Sequence, residues 1–318
     1  MTTTFVLALI PITFAVTVLW APSLIETLRT LRFGKQIRLE GPASHHSKAG
    51  TPTMGGTLFI LTTLAACAVL VPDRAAIAPP LLAMLVFGVA GALDDYANMR
   101  SKQGLGFRVR YKFIWHGLIS LALAFWLYQD ANLRVQNLPG GASIDLGWTF
   151  VPLVAFAIFS CAAGVNEVDG LDGLAGGTTL IAFATYLALA LGASLLPAAA
   201  VCASLIGALL GFLWFNSHPA RVFMGDTGSL ALGAGLAVIA FQTGWGLLLP
   251  IIGFVFVLDL VSVILQVGYF RLTGGKRLFP MTPIHHGFEV IGWPETLVTQ
   301  RFWILGILAS AIGLALSV

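Results

Sequence analysis

Charge is what this sequence has least of. Of its 318 residues only 10% are Asp, Glu, Lys or Arg, while 58% are hydrophobic; a soluble domain of that length carries roughly a quarter charged residues. The short alternating segments of a membrane β-barrel are missing, so the spanning structure must be helical. Cysteine is scarce too. Cys67, Cys161 and Cys202 fall inside apolar runs at unrelated spacings, which argues against a disulfide framework or a zinc site and for three small buried side chains. There is no internal repeat, no low-complexity tail and no polar stretch that reads as a separate soluble domain, so residues 1–318 are expected to form a single transmembrane unit. No basic residue precedes the first apolar run and many runs follow it, which predicts a retained helix rather than a cleaved signal peptide.

What the chain does have is long apolar runs. About 20 such residues span a bilayer's hydrocarbon core, and ten runs lie near 4–22, 55–72, 79–95, 112–129, 149–166, 178–193, 195–215, 228–243, 247–270 and 301–317. The segment 178–215 is almost continuous, split only around Gly192 to Pro197. The window 247–270 is long enough to predict a tilt or break, and it contains Asp259. The expected fold is all-α: a polytopic helical bundle of about ten transmembrane helices.

Basic residues set the orientation. Arg29, Arg32, Lys35, Arg38, Lys48, Arg100, Lys102, Arg108, Arg110, Lys112, Arg221, Arg271, Lys276, Arg277 and Arg301 belong to one set of loops and helix ends; only Arg74 and Arg134 belong to the other. Fifteen against two predicts that the rich loops face the cytoplasm and both termini face outward.

The same loops hold every carboxylate-rich or glycine-rich stretch. Asp94 and Asp95 end an apolar run; adjacent acids at a membrane boundary are costly unless a cation compensates them. They read either as a hydrated pair or as a divalent-metal site with a neighbouring general base. Asp169 and Asp172 stand three apart in a glycine-rich stretch, on one face if that stretch is helical, or else in a plain turn. Asp226, in Met-Gly-Asp-Thr-Gly, precedes an apolar run where backbone N–H groups suit phosphate oxygens; capping the helix is its ordinary reading. Phe223 reads as a base-stacking ring or as an interfacial anchor. His285 and His286 read as metal or phosphate ligands or as solvated loop residues. Asp259, inside a span, has no evident basic partner in the sequence. Together these residues offer acids for Mg²⁺, glycines for phosphate and cations at a membrane surface, the set that phosphoryl transfer needs.

Gly50-Thr-Pro-Thr-Met-Gly-Gly56, Asp94-Asp95-Tyr96, Val165-Asn166 with Asp169-Gly-Leu-Asp-Gly-Leu174, Asn216 with His218-Pro-Ala, Val222-Phe-Met-Gly-Asp-Thr-Gly-Ser-Leu-Ala-Leu-Gly233 and Pro283-Ile-His-His286 resemble the phospho-N-acetylmuramoyl-pentapeptide-transferase family, within the polyprenyl-phosphate N-acetylhexosamine-1-phosphate transferases. The likeness runs in order from about Arg32 to Trp303. It implies a cytoplasmic site in a bacterial inner-membrane homodimer. There phospho-MurNAc-pentapeptide passes from UDP-MurNAc-pentapeptide to undecaprenyl phosphate, giving lipid I and UMP with Mg²⁺, and no nucleic acid is involved. By matching positions, Asp94, Asp95, Asp226 and His285 would be catalytic, with Asp94 the base and Asp226 beside Asp95 holding the metal. Asn166, Asp169, Gly170, Leu171, Asp172 and Phe223 would form the uridine and metal environment. Lys48, Thr53, Arg110 and His286 would contact nucleotide or phosphate. Direct attack and a covalent aspartyl intermediate both stay open.

Several positions depart from the family pattern. Gly287 stands at a usual third histidine, Asn98 at a usual lysine, Arg110 where a lysine is common, Ala163 at an upstream asparagine, and Glu167-Val168 in place of a more typical Leu-Thr. A GlcNAc-1-phosphate transferase of the same superfamily is the first alternative, and a proton-coupled transporter using Asp259 the second; the one-sided clustering of acids disfavours the transporter.

Overall fold

The computed structural model describes residues 1–31, 33, 48, 50–101 and 107–318. Arg32, Lys35, Arg38 and Lys102, counted among the basic loop residues, lie outside the described residues. Among the described residues, ten long helices occupy the ten apolar runs: α1 (Thr3–Thr30), α2 (Gly56–Leu70), α3 (Arg74–Arg100), α4 (Val109–Leu127), then, after the short α5 (Ala131–Arg134), α6 (Phe150–Val168), α7 (Leu174–Gly192), α8 (Leu196–Asn216) and α9 (Gly225–Gln242). The short α10 (Leu249–Ile252) precedes α11 (Phe254–Leu272), and the short α12 (Ile284–Val290) precedes α13 (Glu295–Leu316). The expected polytopic helical bundle is the fold found.

Seven of these helices are long and apolar enough to cross a membrane, and α2 is an apolar helix of 15 residues. The remaining two, α4 and α9, open on polar ends, Arg110 with Lys112 and Asp226 with Thr227. The break expected in 247–270 is present: α10 stops at Gly253 and α11 starts beyond it. Helix α3 runs past its apolar stretch to Arg100, so Asp94 and Asp95 lie more than a turn inside the helix rather than at its end.

Helix α9 forms the centre. From Thr227 to Phe241 every residue is buried, the pattern of a helix surrounded on all sides. It packs against α3 and α6, while α8 packs against α1, α2 and α7. Small residues set these approaches. A Cβ on Gly91 of α3 would lie 2.1 Å from the Asp226 carbonyl oxygen, and one on Gly56 of α2 would lie 2.2 Å from the Gly228 Cα. Both glycines therefore admit the backbone that begins α9.

The loop between α4 and α6 contains an element the apolar pattern does not announce, an antiparallel ribbon of β1 (Val135–Asn137) and β2 (Ser143–Asp145). Buried Gln136 donates to the Phe241 carbonyl at 3.1 Å and accepts from the Gly246 amide at 2.8 Å, so the ribbon closes the C-terminal end of α9. The motif carboxylates Asp94, Asp95, Asp172 and Asp226 lie toward the opposite end. There α3, α6 and α11 finish, and α2, α4, α7, α9 and α13 begin.

Candidate active site

Two adjoining clusters are built at that end. The first surrounds the start of α9. Asp95 reaches from α3 and accepts from the amides of Asp226 (3.1 Å) and Thr227 (3.0 Å) and from the Thr227 hydroxyl (2.7 Å). These are the otherwise unpaired donors of a first helical turn, so α9 is capped by a carboxylate from another helix. Gly225 makes the approach possible: its φ is +73°, and a Cβ there would lie 2.5 Å from Asp95 Oδ2 and 2.7 Å from Thr53 Oγ1. Buried Thr53 is thus held beside the cap.

With its own helix already capped, the Asp226 side chain is turned to neighbouring helices. Its Oδ1 accepts from Asn166 Nδ2 of α6 at 2.9 Å, and the same amide nitrogen contacts Ser229 Oγ at 2.9 Å. Its Oδ2 pairs with Lys112 Nζ of α4 at 3.2 Å. Lys112 also pairs with Asp94 Oδ2, and Asp94 Oδ1 accepts from the Phe107 amide at 3.0 Å. One ammonium therefore lies between two carboxylates from different helices.

The second cluster surrounds the turn joining α6 to α7. Lys48 Nζ donates to Asp172 Oδ1 at 2.7 Å and to Glu295 Oε1 at 2.5 Å. Asp172 Oδ2 accepts from the Ala220 amide and faces His218 Nδ1, each at 3.0 Å, and the Asp172 amide donates to Glu295 Oε1 at 2.7 Å. Lys48 Nζ also lies 5.9 Å from the Phe223 ring centroid, within cation–π range. Asp172, His218 and Glu295 bring their ligand atoms within 4.8 Å of one another, a spacing open to a metal ion. Lys48 already supplies positive charge to both carboxylates there. A half-buried aromatic ring thus stands beside a fixed carboxylate and a lysine.

Several expectations change on this geometry. Asp169 and Asp172 do not share a helix face, because α6 ends at Val168 and Gly173, at φ +74°, starts α7. The first N–H groups of α9 are taken by Asp95, so they do not serve a phosphate. Asp95, expected as a metal ligand, has both oxygens engaged by α9. Arg110 is exposed and lies over the Tyr111 ring, its guanidinium carbon 4.9 Å from the centroid. Lys112 meets the acids instead, since residues two apart on a helix face different sides.

Asp259 does have a basic partner: its Oδ2 lies 2.6 Å from His285 Nδ1. His286 Nδ1 lies 2.7 Å from Glu289 Oε2. A Cβ on Gly170 would lie 2.4 Å from His285 Nε2 and 2.8 Å from His286 Nε2, so both imidazoles abut that turn, where Leu171 is buried. The sequence reading missed Lys112, Glu295 and His218 as site residues. A cation just after the start of an apolar helix and a glutamate in its first turn were signals available, though both also fit solvated helix ends.

Comparison with known proteins gives the family of the chain. Residues 77–244 match the family described as glycosyl transferase family 4, and residues 48–60 match the phospho-N-acetylmuramoyl-pentapeptide-transferase signature 1. The chain is 44% identical over 313 residues to the phospho-N-acetylmuramoyl-pentapeptide-transferase of Geobacillus kaustophilus, covering 96% of each chain. With that of Bacillus subtilis it shares 44% identity over 312 residues, 96% of this chain and 95% of the relative. The chain belongs to the phospho-N-acetylmuramoyl-pentapeptide-transferase family. It is therefore a membrane transferase of sugar 1-phosphates in peptidoglycan biosynthesis. The Listeria monocytogenes transferase, at 41% identity over 309 residues and 95% of both chains, is a more distant relative of the same name. Asp94, Asp95, Lys112, Asn166 and Asp226 of the first cluster fall within the family 4 match, and the signature spans Thr53 beside that cluster and Lys48 of the second.

Proposed function

We propose that this chain transfers phospho-MurNAc-pentapeptide from UDP-MurNAc-pentapeptide to undecaprenyl phosphate, forming lipid I and releasing UMP. A new P–O–P bond forms between the lipid phosphate and the sugar-bearing phosphorus as the bond to UMP breaks. The observation that carries this reading is Lys112 between Asp94 and Asp226, a cation held between two carboxylates beside an apolar bundle. Hard oxygen donors at such a spacing suit Mg²⁺, which takes a few carboxylates plus substrate oxygens. Asp226 would hold the ion together with substrate oxygens, with Asp95 fixing the helix that carries Asp226. When bound, the metal supplies charge neutralisation for the diphosphate.

Asp94 would accept the proton of the lipid phosphate, from a position where Phe107 and Lys112 fix both its oxygens. Asn166 orients Asp226. Lys48, Asp172 and Phe223 form a place for uracil, with Glu295 and His218 behind them. His285 and His286 lie across the turn at Gly170 and would meet the diphosphate; Asp169 and Leu171 complete that turn. The fifteen-to-two basic asymmetry supports a cytoplasmic site in the bacterial plasma membrane, with both termini outside. Residues 1–318 act as a single catalytic domain, and family likeness supports a homodimer.

The test uses purified protein in nanodiscs with undecaprenyl phosphate and Mg²⁺, and scores UMP and lipid product from UDP-MurNAc-pentapeptide or UDP-GlcNAc. Product from the muramoyl donor alone, lost with EDTA and restored by Mg²⁺, is expected. Activity with UDP-GlcNAc alone would move the chain to the sister branch. Metal-independent activity would remove the ion from the reading.

A further inference from the structure

The reaction scheme above uses His285 but leaves the acid behind it without a part. Asp259 lies within α11, fully buried, and an ionisable side chain inside a spanning helix is costly to keep without a partner or function. Its Oδ2 is 2.6 Å from His285 Nδ1. A carboxylate only accepts, so this contact places the imidazole proton on Nδ1 and leaves Nε2 as the nitrogen able to exchange a proton or a hydrogen bond.

His285 is itself fully buried, and its Nε2 has no hydrogen-bond partner among the described residues. That nitrogen abuts Gly170, where the absent side chain leaves it room. The ring is also confined from its sides: the Phe302 ring stands edge-on at 6.5 Å and the His286 ring lies at 4.1 Å. A buried polar atom without a partner is costly, and one kept at a substrate-bearing turn points to a partner that arrives with the substrate.

Docking of the histidine segment does not depend on Asp259 alone. One turn further along α11, Ser262 Oγ accepts from the Ile284 amide at 3.1 Å while donating to the Asp259 carbonyl at 2.7 Å. The backbone at the start of α12 is thus tied to α11 through Ser262, and the Asp259 carboxylate is given over to the imidazole.

We propose that Asp259 is a positioning residue for the transfer: it fixes the tautomer and orientation of His285, so that Nε2 is presented at Gly170 to a diphosphate oxygen of the nucleotide donor. This rests on the transferase reading above. Carboxylate partners of functional histidines recur because they set ring orientation, and their loss costs about 10- to 100-fold where the histidine binds a metal.

The experiment is a double-mutant cycle on UMP release in nanodiscs, using Asp259→Asn, His285→Ala and the pair, with imidazole ¹⁵N NMR on the histidine-labelled wild type. His285→Gln identifies the resonance. Asp259→Asn is expected to lower kcat by about 10- to 100-fold, with KM for undecaprenyl phosphate within about twofold, and to add no further loss in the His285→Ala background. The wild-type ring is expected to carry its proton on Nδ1. That spectrum needs no Asp259 variant, so it decides the pairing even where Asp259→Asn does not fold. Additive losses, unchanged kcat in folded Asp259→Asn, or a proton found only on Nε2 would overturn the proposal. A wild-type protein that releases no UMP from the muramoyl donor would instead overturn the transferase reading on which it rests.

Discussion

Asp95 caps the helix that carries Asp226. Its carboxylate accepts from the amides of Asp226 and Thr227, at 3.1 and 3.0 Å, across an approach that Gly91 and Gly225 keep open. The acid pair therefore divides its work: Asp94 faces Lys112, and Asp95 fixes where Asp226 stands.

Replacing Asp95 should accordingly cost stability as well as activity. Asp95→Ala leaves two amides and the Thr227 hydroxyl without their acceptor, and a lost cap costs about 0.5–2 kcal/mol, with more expected for buried donors. Thermal unfolding in detergent should show Asp95→Ala melting below Asp95→Asn, which keeps one accepting oxygen. Equal melting temperatures for both variants and wild type would contradict a capping role.

Lys112 and Arg110 should behave in opposite ways. Lys112→Met strands Asp94 and Asp226, two carboxylates from different helices, without their shared cation. UMP release should fall by at least about 100-fold, the equivalent of roughly 2.7 kcal/mol. Arg110→Met, on an exposed side of α4, should stay within about threefold of wild type, a difference near 0.65 kcal/mol. The reverse ranking would restore Arg110 as the cation of the site.

Two glycine substitutions separate helix propensity from packing. Alanine is favoured over glycine in a helix by about 1 kcal/mol, and at Gly117 of α4 an added Cβ meets nothing within 4 Å. At Gly91 the same Cβ would lie 2.1 Å from the Asp226 carbonyl oxygen, where backbone must move. Gly91→Ala should lower the melting temperature and disable UMP release, while Gly117→Ala should leave both close to wild type. A neutral Gly91→Ala would show that α3 and α9 do not need this approach.

Glu295 should act on donor binding. It accepts from both Lys48 and the Asp172 amide, so Glu295→Gln weakens a charge-assisted contact while keeping the shape. KM for the UDP donor should rise about tenfold, the equivalent of 1.4 kcal/mol, with kcat changed less than twofold. A fall in kcat at constant KM would place Glu295 with the reacting groups instead.

Much of this protein is legible without coordinates because membranes impose so few solutions. Apolar runs of span length must become helices, and lysine and arginine placement orders their ends; the ten runs, the break near Gly253 and the collection of motifs at one end all follow from that. Local spacing was a poorer guide inside the loops. The spacing of Asp169 and Asp172 left a shared helix face and a glycine-rich turn both open, and the turn is found, between the end of α6 at Val168 and the start of α7 at Leu174.

The composition and order of residues determined the class, the helical bundle and the family, since hydropathy and motif order are properties of the chain itself. Which side chain meets which was decided by packing between distant segments. Lys112 is 114 residues from Asp226, Lys48 is 124 from Asp172, and Asp95 is 131 from Asp226. Asp259 looked solitary for the same reason: its partner, His285, follows 26 residues later on a separate helix. A buried charge selects its partner through three-dimensional proximity and desolvation, and neither quantity is written in linear spacing.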